Sequence, residues 1–173
     1  MADWERAKEL FTFYQGSFIH MYREGVLDEY KGFEIAKEKE TEWLDEMVNE
    51  FTKQLSIMSW TGVVGLESLA RSYPNPTILE NVATFASRHL MSADSVVKLI
   101  YAEKMIKLIK LFKKEVSVEV LRKAYTSTLN LLEDTIAKPL ILDPGHELEQ
   151  FNLKDKKALN IEAQRHIDEL KQI

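Results

Sequence analysis

The chain of 173 residues is long enough to bury a hydrophobic core, and its 45% apolar and 29% charged residues are typical of a globular protein. Its net charge of -5 argues against general nucleic-acid binding, which requires a basic surface. The sequence contains no cysteine, which excludes disulfides, thiolate metal sites and cysteine nucleophiles. We therefore expect one domain, residues 1–173, in a reducing compartment, and we take the protein to be cytoplasmic.

The distribution of apolar residues indicates helices and no membrane segment. The first eleven residues mix acidic and basic side chains and lack the apolar core of a signal peptide. No apolar run approaches about 18 residues without charges, so we expect no transmembrane segment. Glycine and proline are scarce, at six and four residues, which favours long helices joined by short loops. The sequence predicts an all-α, single-domain multi-helix bundle of five to six helices.

Two helices are predicted before residue 60. Apolar residues recur every three or four positions from Asp3 to Arg23, and again from Leu27 or Phe33 to Met58. The second stretch also carries nine acidic side chains against four basic ones, a local charge near -5. Most acidic helix faces are simply solvated, and binding of a partner is the alternative interpretation.

Glycines and prolines mark the next boundaries. Gly62 and Gly65 either allow another helix to approach closely or mark a loose connection, and they lack the Lys-Ser/Thr of a phosphate-binding loop. The helix that follows should end before the turn at residues 74–76, because each proline disfavours helix at the preceding residue. Thr77 and Glu80 then form the S/T-x-x-E pattern of a capping box.

The strongest pattern covers residues 94–114. Its apolar side chains surround most of the helix and leave a narrow polar line of Glu103, Lys107, Lys110 and Lys114. Six lysines against one glutamate also suit a basic helix on an anionic membrane or nucleic acid, but such a helix needs a broad charged face and a narrow apolar one. We therefore predict a largely buried central helix and no contact with a membrane surface.

Caps define the ends of this central helix. We expect the preceding helix to break near Met91, with Ser92 or Asp94 capping the central helix. Ser117 is predicted to cap the next helix, which should end at about Ile136.

The longest irregular connection is predicted at about residues 137–153. Its short apolar run, residues 140–142, is expected to pack on the helices, and the segment is either a fixed strap or a mobile lid. A final helix should begin near Leu153 or Asn160 and end at Gln172.

No motif in the chain names a reaction. The four histidines include no pair at helical spacing and no Glu-x-x-His, so we predict no metal site and no cofactor. The segment from His146 to Gln150 is one residue short of the zinc-protease motif His-Glu-x-x-His, with Gln150 in the place of the second histidine. There is no Gly-x-Ser-x-Gly, and no Ser-x-x-Lys with supporting elements, so no catalytic residue is assigned.

The sequence favours a non-enzymatic protein that acts through a protein partner or through self-association as a homodimer. Its candidate interaction surface combines acidic side chains of the second helix with lysines of the central helix, namely Glu38, Glu42, Asp45, Glu46, Lys107, Lys110 and Lys114. These two groups could meet across subunits or lie side by side in one subunit. The alternative is a small-molecule-binding protein or enzyme whose site lies inside the bundle, with the candidate lining Tyr14, Phe18, His20 and His89.

Overall fold

The computed structural model describes residues 2–173. Helices account for 73% of the chain, and the described residues contain no strand. In chain order the α-helices are α1 (Ala2–Phe13), α2 (Phe18–Arg23), α3 (Leu27–Lys31), α4 (Lys37–Lys53), α5 (Thr61–Ser72), α6 (Thr77–His89), α7 (Ser95–Phe112), α8 (Val118–Ala137) and α9 (Lys156–Lys171). Two 3₁₀ turns lie at Leu90–Ser92 and Leu148–Phe151. The all-α prediction is confirmed, whereas the prediction of five to six helices is wrong, because the described residues form nine.

Two of the additional helices arise from breaks in the two helices predicted before residue 60. The first divides where Gln15 and Gly16 adopt positive φ angles of 51° and 74°, after which the Ser17 hydroxyl caps α2. The second divides between α3 and α4, where Glu34 has a φ angle of 50°. Helix α4 also ends earlier than predicted, at Lys53.

Helix α7 is enclosed by other helices, as its apolar pattern predicts. Thirteen of its 18 residues are buried, and it packs against α5, α6, α8 and α9. Lys107 and Lys110 lie on its exposed edge, and Lys114 beyond its end is also exposed. The exception in the apolar belt is Leu111, which remains 43% exposed.

Helices α6 and α7 are separate, and side chains cap α7 and α8. The chain leaves α6 through the 3₁₀ turn at 90–92, and Asp94 Oδ1 accepts a hydrogen bond of 2.9 Å from the backbone N–H of Val97. Ser117 Oγ accepts an equivalent bond of 3.2 Å from Val120. The predicted break is therefore confirmed, as are the caps at Asp94 and Ser117.

The predicted cap at Thr77 is wrong. Pro76 already has helical angles, with φ -60° and ψ -20°, so the N-cap position falls on the proline and Thr77 is the first helical residue. The backbone N–H of Thr77 instead donates to Asn75 Oδ1 at 3.0 Å.

The connection after α8 is attached through backbone hydrogen bonds. Ser95 N–H donates to the carbonyl of Ile141 at 2.9 Å, and Ile141 N–H donates to Ser95 Oγ at 3.1 Å. Leu140 is half-buried, but Ile141 and Leu142 remain 57% and 36% exposed, so the predicted packing of the apolar run is wrong for these two residues. We call residues 138–147 the strap. Helix α9 begins after it at Lys156, between the two predicted starts.

The hydrophobic core has two parts. The larger cluster is built from residues of α4 to α9 and the segments between them. A smaller cluster holds α1, α2 and α3 against α4 and consists of Ala7, Leu10, Phe11, Met21, Tyr30 and Trp43. Leu44 packs against both clusters. We call α1–α3 the N-terminal unit.

Two glycines bring α5 close to α4. A Cβ atom at Gly62 would lie 2.8 Å from backbone atoms of Phe51, Gln54 and Leu55, and one at Gly65 would lie 2.4 Å from the Phe51 ring. These distances are shorter than any van der Waals contact between such atoms. Close helix approach is therefore the correct one of the two interpretations of this glycine pair.

A buried ion pair joins α7 to α8. Lys98 Nζ donates to Asp134 Oδ2, and the two side chains are only 7% and 11% exposed. Lys138 adds a second contact to Asp134, at 2.8 Å. Burial alone would raise the pKa of Asp134, but the hydrogen bonds from Lys138 and Lys98 outweigh it and hold that pKa below its ordinary value. Lys98 is therefore a core residue and not part of the exposed lysine edge.

We expect Gly62→Ala to destabilise the protein. Insertion of a methyl group against fixed backbone costs about 1–3 kcal/mol, which should exceed the gain of up to about 1 kcal/mol in helix propensity. Urea denaturation would measure the free energy of unfolding, with the exposed Val64→Ala in the same helix as control. Equal stability of Gly62→Ala and the wild type would contradict the close contact.

We expect Asp134→Asn to cost about 3–5 kcal/mol, because it leaves the buried Lys98 ammonium without a counter-charge. Glu42→Gln is a matched control, since it breaks the exposed pair of Glu42 with Lys39 and should cost less than about 1 kcal/mol. Thermal and urea denaturation would compare the two variants. Similar losses of unfolding free energy in the two variants would show that the buried pair of Asp134 and Lys98 stabilises the fold no more than an exposed pair does.

Candidate functional site

The N-terminal unit exposes three large apolar side chains on consecutive helices. Phe13, Ile19 and Tyr22 are 78%, 65% and 74% exposed. Ile19 and Tyr22 lie three residues apart and so share one face of α2. The Phe13 ring meets the Tyr14 ring edge to face, with 4.9 Å between centroids. We call Phe13, Ile19 and Tyr22, which fall within ten residues of the chain, the N-terminal apolar surface. A continuous patch of exposed apolar side chains is typical of an interaction site.

A groove of about 560 Å³ adjoins this surface along α1. Its lining is mixed in character and consists of Arg6, Glu9, Leu10, Thr12, Phe13, Tyr14 and Val26. Arg6 is fixed by two hydrogen bonds of 3.1 Å to the carboxylate of Glu29 on α3. The hydrogen bond from Arg6 lowers the pKa of Glu29, so the pair remains charged on both sides.

The negative charge of the protein is concentrated in its first third. Residues 1–60 carry 13 acidic and 7 basic side chains, whereas the remaining residues carry 15 and 16. The first third therefore has a charge of -6 and the rest a charge of +1. An exposed apolar surface thus lies within the acidic part of the chain.

The acidic residues predicted to bind a partner lie on α4 and are exposed. Three of them already contact neighbours in the same chain: Glu42 pairs with Lys39 at 3.1 Å, Glu46 pairs with Lys8 at 2.8 Å, and Asp45 accepts a hydrogen bond of 2.7 Å from the Tyr73 hydroxyl. Burial and the bond to Asp45 raise the pKa of Tyr73 to about 12. Glu38 is exposed without an ion pair within the described residues.

The lysines of the predicted surface also have partners near them. Lys107 lies 3.6 Å from Glu103, and Lys110 lies 2.8 Å from Glu169 on α9, whereas Lys114 is exposed. Across residues 2–173 no ion pair joins α4 to α7, and α5 packs against both helices. Within the described residues, the acidic and basic groups therefore form no ion pair with each other. A meeting of the two groups across subunits stays a prediction.

The four residues predicted to line an internal pocket do not converge. Tyr14 lines the groove beside α1, and Phe18 packs against Tyr30 with 5.8 Å between centroids. His20 is exposed on α2. His89 is exposed at the end of α6, where it borders a different cavity, lined also by Asn81, Phe85 and Arg88.

A cluster of two aspartates and a histidine forms where the strap meets α7. Asp94 is fully enclosed, and its Oδ2 accepts hydrogen bonds from the backbone N–H of Asp143 at 2.8 Å and from His146 Nδ1 at 2.6 Å. One donor atom from each of Asp94, Asp143 and His146 lies within 4.8 Å of the others. We call these three residues the Asp–His cluster.

Aromatic rings cover one side of this cluster. The Trp60 ring lies 4.9 Å from the His146 ring and 5.2 Å from the Phe151 ring, measured between centroids. Gln150, which replaces histidine in the motif that begins at His146, instead accepts a hydrogen bond of 3.1 Å from Glu147 N–H and caps the 3₁₀ turn. The sequence identified Asp94 as a cap and a turn before His146, but it gave no signal that these segments meet.

His166 on α9 is a buried titratable group. It is 4% exposed, and neither ring nitrogen has a hydrogen-bond partner within the described residues. Glu162 and Glu169 approach the ring nitrogens at 3.7 Å and 3.9 Å. Burial lowers the pKa of His166 and the charge of Arg165 lowers it further, against the opposing effect of the nearby glutamates.

We expect His166 to make stability depend on pH. Its pKa is lower in the folded chain than in the unfolded chain, so unfolding takes up a proton as the pH falls below about 6.5. The stability that neutral His166 provides is therefore complete above that pH and is lost as the pH falls through the lower, folded pKa. Urea denaturation at pH 7.5 and pH 5 should show a smaller loss in His166→Leu than in the wild type. The exposed His20→Gln is the control, and equal losses in wild type and His166→Leu would contradict the expectation.

Within residues 2–173, no helix is both long enough and apolar enough to cross a membrane. No protein-family model, no curated protein and no solved structure matches this chain. The geometry of its own side chains is therefore the basis on which a function can be assigned.

Proposed function

We propose that this chain is a non-enzymatic protein that acts by protein–protein contact through its N-terminal apolar surface. The observation that supports the proposal is the exposure of Phe13, Ile19 and Tyr22 on two consecutive helices. The occupant that fits this surface is a basic amphipathic helix of a partner protein. The absence of cysteine suits a reducing compartment, and we propose the cytoplasm.

The chemistry of the surface defines the partner. Aromatic side chains bury about 150–250 Å² each and dominate the energetics of interfaces, so Phe13 and Tyr22 are the expected anchors. The groove beside them can receive apolar side chains of a helix at three- and four-residue spacing. The charge of -6 on residues 1–60 favours a basic partner, because complementary charge accelerates association and disfavours acidic competitors.

The smaller hydrophobic cluster packs beneath the helices that carry this surface. The Phe11 ring lies 5.8 Å from the Tyr30 ring and 5.6 Å from the Trp43 ring. The Tyr30 hydroxyl donates to Glu40 of α4, and burial together with this carboxylate raises the pKa of Tyr30, so the hydroxyl stays protonated. Helices that are already held in place lose less conformational entropy when a partner binds, so the entropic cost of binding is smaller.

The alternative of an internal ligand site or active site has weaker support. Tyr14 and His89 border separate cavities, and His20 faces solvent. A catalytic site would need such groups within hydrogen-bonding reach of one substrate.

We expect the double variant Phe13→Ser/Tyr22→Ser to bind a basic helix at least tenfold more weakly than the wild type, because it removes both anchors. The probe is a fluorescent leucine/lysine peptide of about 18 residues, long enough to form a helix, and the readout is fluorescence anisotropy. A leucine/glutamate peptide of the same pattern tests the role of charge. Val118→Ser removes a side chain of similar exposure, 71%, at the start of α8 and is the matched control.

Two results would contradict the proposal: equal binding of the acidic and basic peptides, or equal loss in Val118→Ser and the double variant. Light scattering at low and high salt tests the alternative that a second copy of this chain occupies the surface. A dimer that the double variant abolishes would identify a second copy of this chain as the partner and would exclude the basic helix.

A further inference from the structure

We propose that Asp94, Asp143 and His146 form a binding site for a divalent transition-metal ion, with Zn²⁺ as the expected ion. The ligands are one imidazole nitrogen and two carboxylate oxygens, which come from the start of α7 and from the strap. The site is separate from the N-terminal apolar surface and does not depend on the function proposed for that surface.

The donor set selects the class of ion. Imidazole nitrogen favours zinc and other transition metals over calcium and magnesium, and carboxylate oxygen is compatible with zinc at about 2.0–2.2 Å. Three protein ligands leave one position of a tetrahedral zinc ion open for water or for a donor from another molecule. The mutual distances of the three donor atoms, all within 4.8 Å, bring them within the reach of a single ion after a small adjustment.

The charges around the cluster also favour a cation. Within the described residues, no lysine or arginine lies within ion-pair distance of Asp94 or Asp143, and Asp94 is hydrogen-bonded to the His146 ring. The Asp143 carboxylate makes neither a hydrogen bond nor an ion pair there, although its backbone N–H is bound to Asp94. Two carboxylates thus lie close together without a lysine or arginine to balance their charge, and a divalent ion would neutralise both.

Hydrogen bonds hold both segments in position. Asp94 is fixed by the bond from Val97 to its Oδ1, which leaves Oδ2 directed at the strap. The backbone N–H of His146 donates to the carbonyl of Asp143 at 3.0 Å and closes the turn that places both side chains near Asp94. The two bonds between Ser95 and Ile141 attach the strap next to the site. Trp60 covers the His146 ring, and the aromatic cover limits access of water.

The bond between His146 and Asp94 is the arrangement that the ion would replace. Nδ1 and Oδ2 lie 2.6 Å apart, and an ion bound at Nδ1 would take the place of the proton between them, because an imidazole nitrogen binds a metal only when it carries no proton. Two ligands of a tetrahedral zinc ion lie about 3.3 Å apart. His146 Nδ1 and Asp94 Oδ2 would therefore separate by about 0.7 Å, and the Asp143 oxygen, which lies within 4.8 Å of both, would approach by up to about 1.5 Å. Asp94 Oδ1 would remain the cap of α7 throughout.

Asp143→Asn separates metal binding from folding. Within the described residues, the Asp143 carboxylate makes no hydrogen bond and no ion pair, and the backbone N–H that binds Asp94 is unchanged by this substitution. Calorimetric titration of the metal-free protein with zinc chloride should show one ion per chain. Asp143→Asn and His146→Ala should each bind at least tenfold more weakly, and Asp143→Asn should keep the thermal stability of the wild type without metal.

Two control variants test whether zinc binds to exposed side chains outside the Asp–His cluster. Glu149→Gln removes an exposed carboxylate three residues after His146, and His89→Ala removes an exposed histidine far from it in the chain, so both variants should bind zinc as the wild type does. Co²⁺ provides a second readout, since its visible absorption reports the ligand set and should change in His146→Ala. The proposal is overturned if the wild type binds no zinc, or if Asp143→Asn and His146→Ala bind as tightly as the wild type.

Discussion

The enclosure of α7 is the constraint on which the rest of the fold depends. Apolar side chains occupy nearly its whole circumference, so it is stable only where helices cover it on several sides. Helices α5, α6, α8 and α9 provide that cover. One consequence is that a lysine of α7, Lys98, lies in the core, where the charge is tolerated because Asp134 of α8 meets it directly. The same enclosure leaves α7 little surface with which to contact a membrane or a nucleic acid.

The N-terminal unit, unlike α7, is not enclosed by other helices. Its helices α2 and α3 are short, and the unit packs mainly on α4, with which it shares a small aromatic cluster. Its contact with α5 includes hydrogen bonds from Ser68 and Ser72 to Gln15, between α1 and α2. Such a unit has one covered side and one free side, so apolar residues beyond those needed for the small core face solvent. Phe13, Ile19 and Tyr22 are residues of this kind. The position of the exposed surface is therefore a consequence of how few helices surround the unit.

Local patterns predicted much of the fold. The burial of α7, the caps at Asp94 and Ser117 and the turn at residues 74–76 all depend on residues within one or two helical turns of each other. The division between α1 and α2 was missed because the apolar period continues through Gln15, a non-glycine residue with positive φ that sequence rarely reveals. The exposure of Ile141 was missed because the strap is held by its backbone.

The candidate site shows the limit of sequence reasoning more clearly. Asp94 lies 49 residues from Asp143 and 52 from His146, so neither periodicity nor motif spacing could bring them together. Each residue also had a sufficient local explanation as part of a cap or a turn. The N-terminal apolar surface was hidden for the opposite reason, since Phe13 and Tyr22 lie among the apolar positions of a helix that was expected to be longer and more completely covered.

The two hydrogen-bonding sides of Asp94 have a consequence for the order of folding. During synthesis α7 is complete before the strap exists, and at that stage Asp94 Oδ1 can cap the helix while Oδ2 still faces water. Closure of the strap must then bring together groups about fifty residues apart, which is slower than local helix formation because of the entropy of the loop. The strap should therefore close after α7 and α8 have formed. Its reopening would break the few hydrogen bonds that join it to Asp94 and Ser95, while the helices around α7 stay folded.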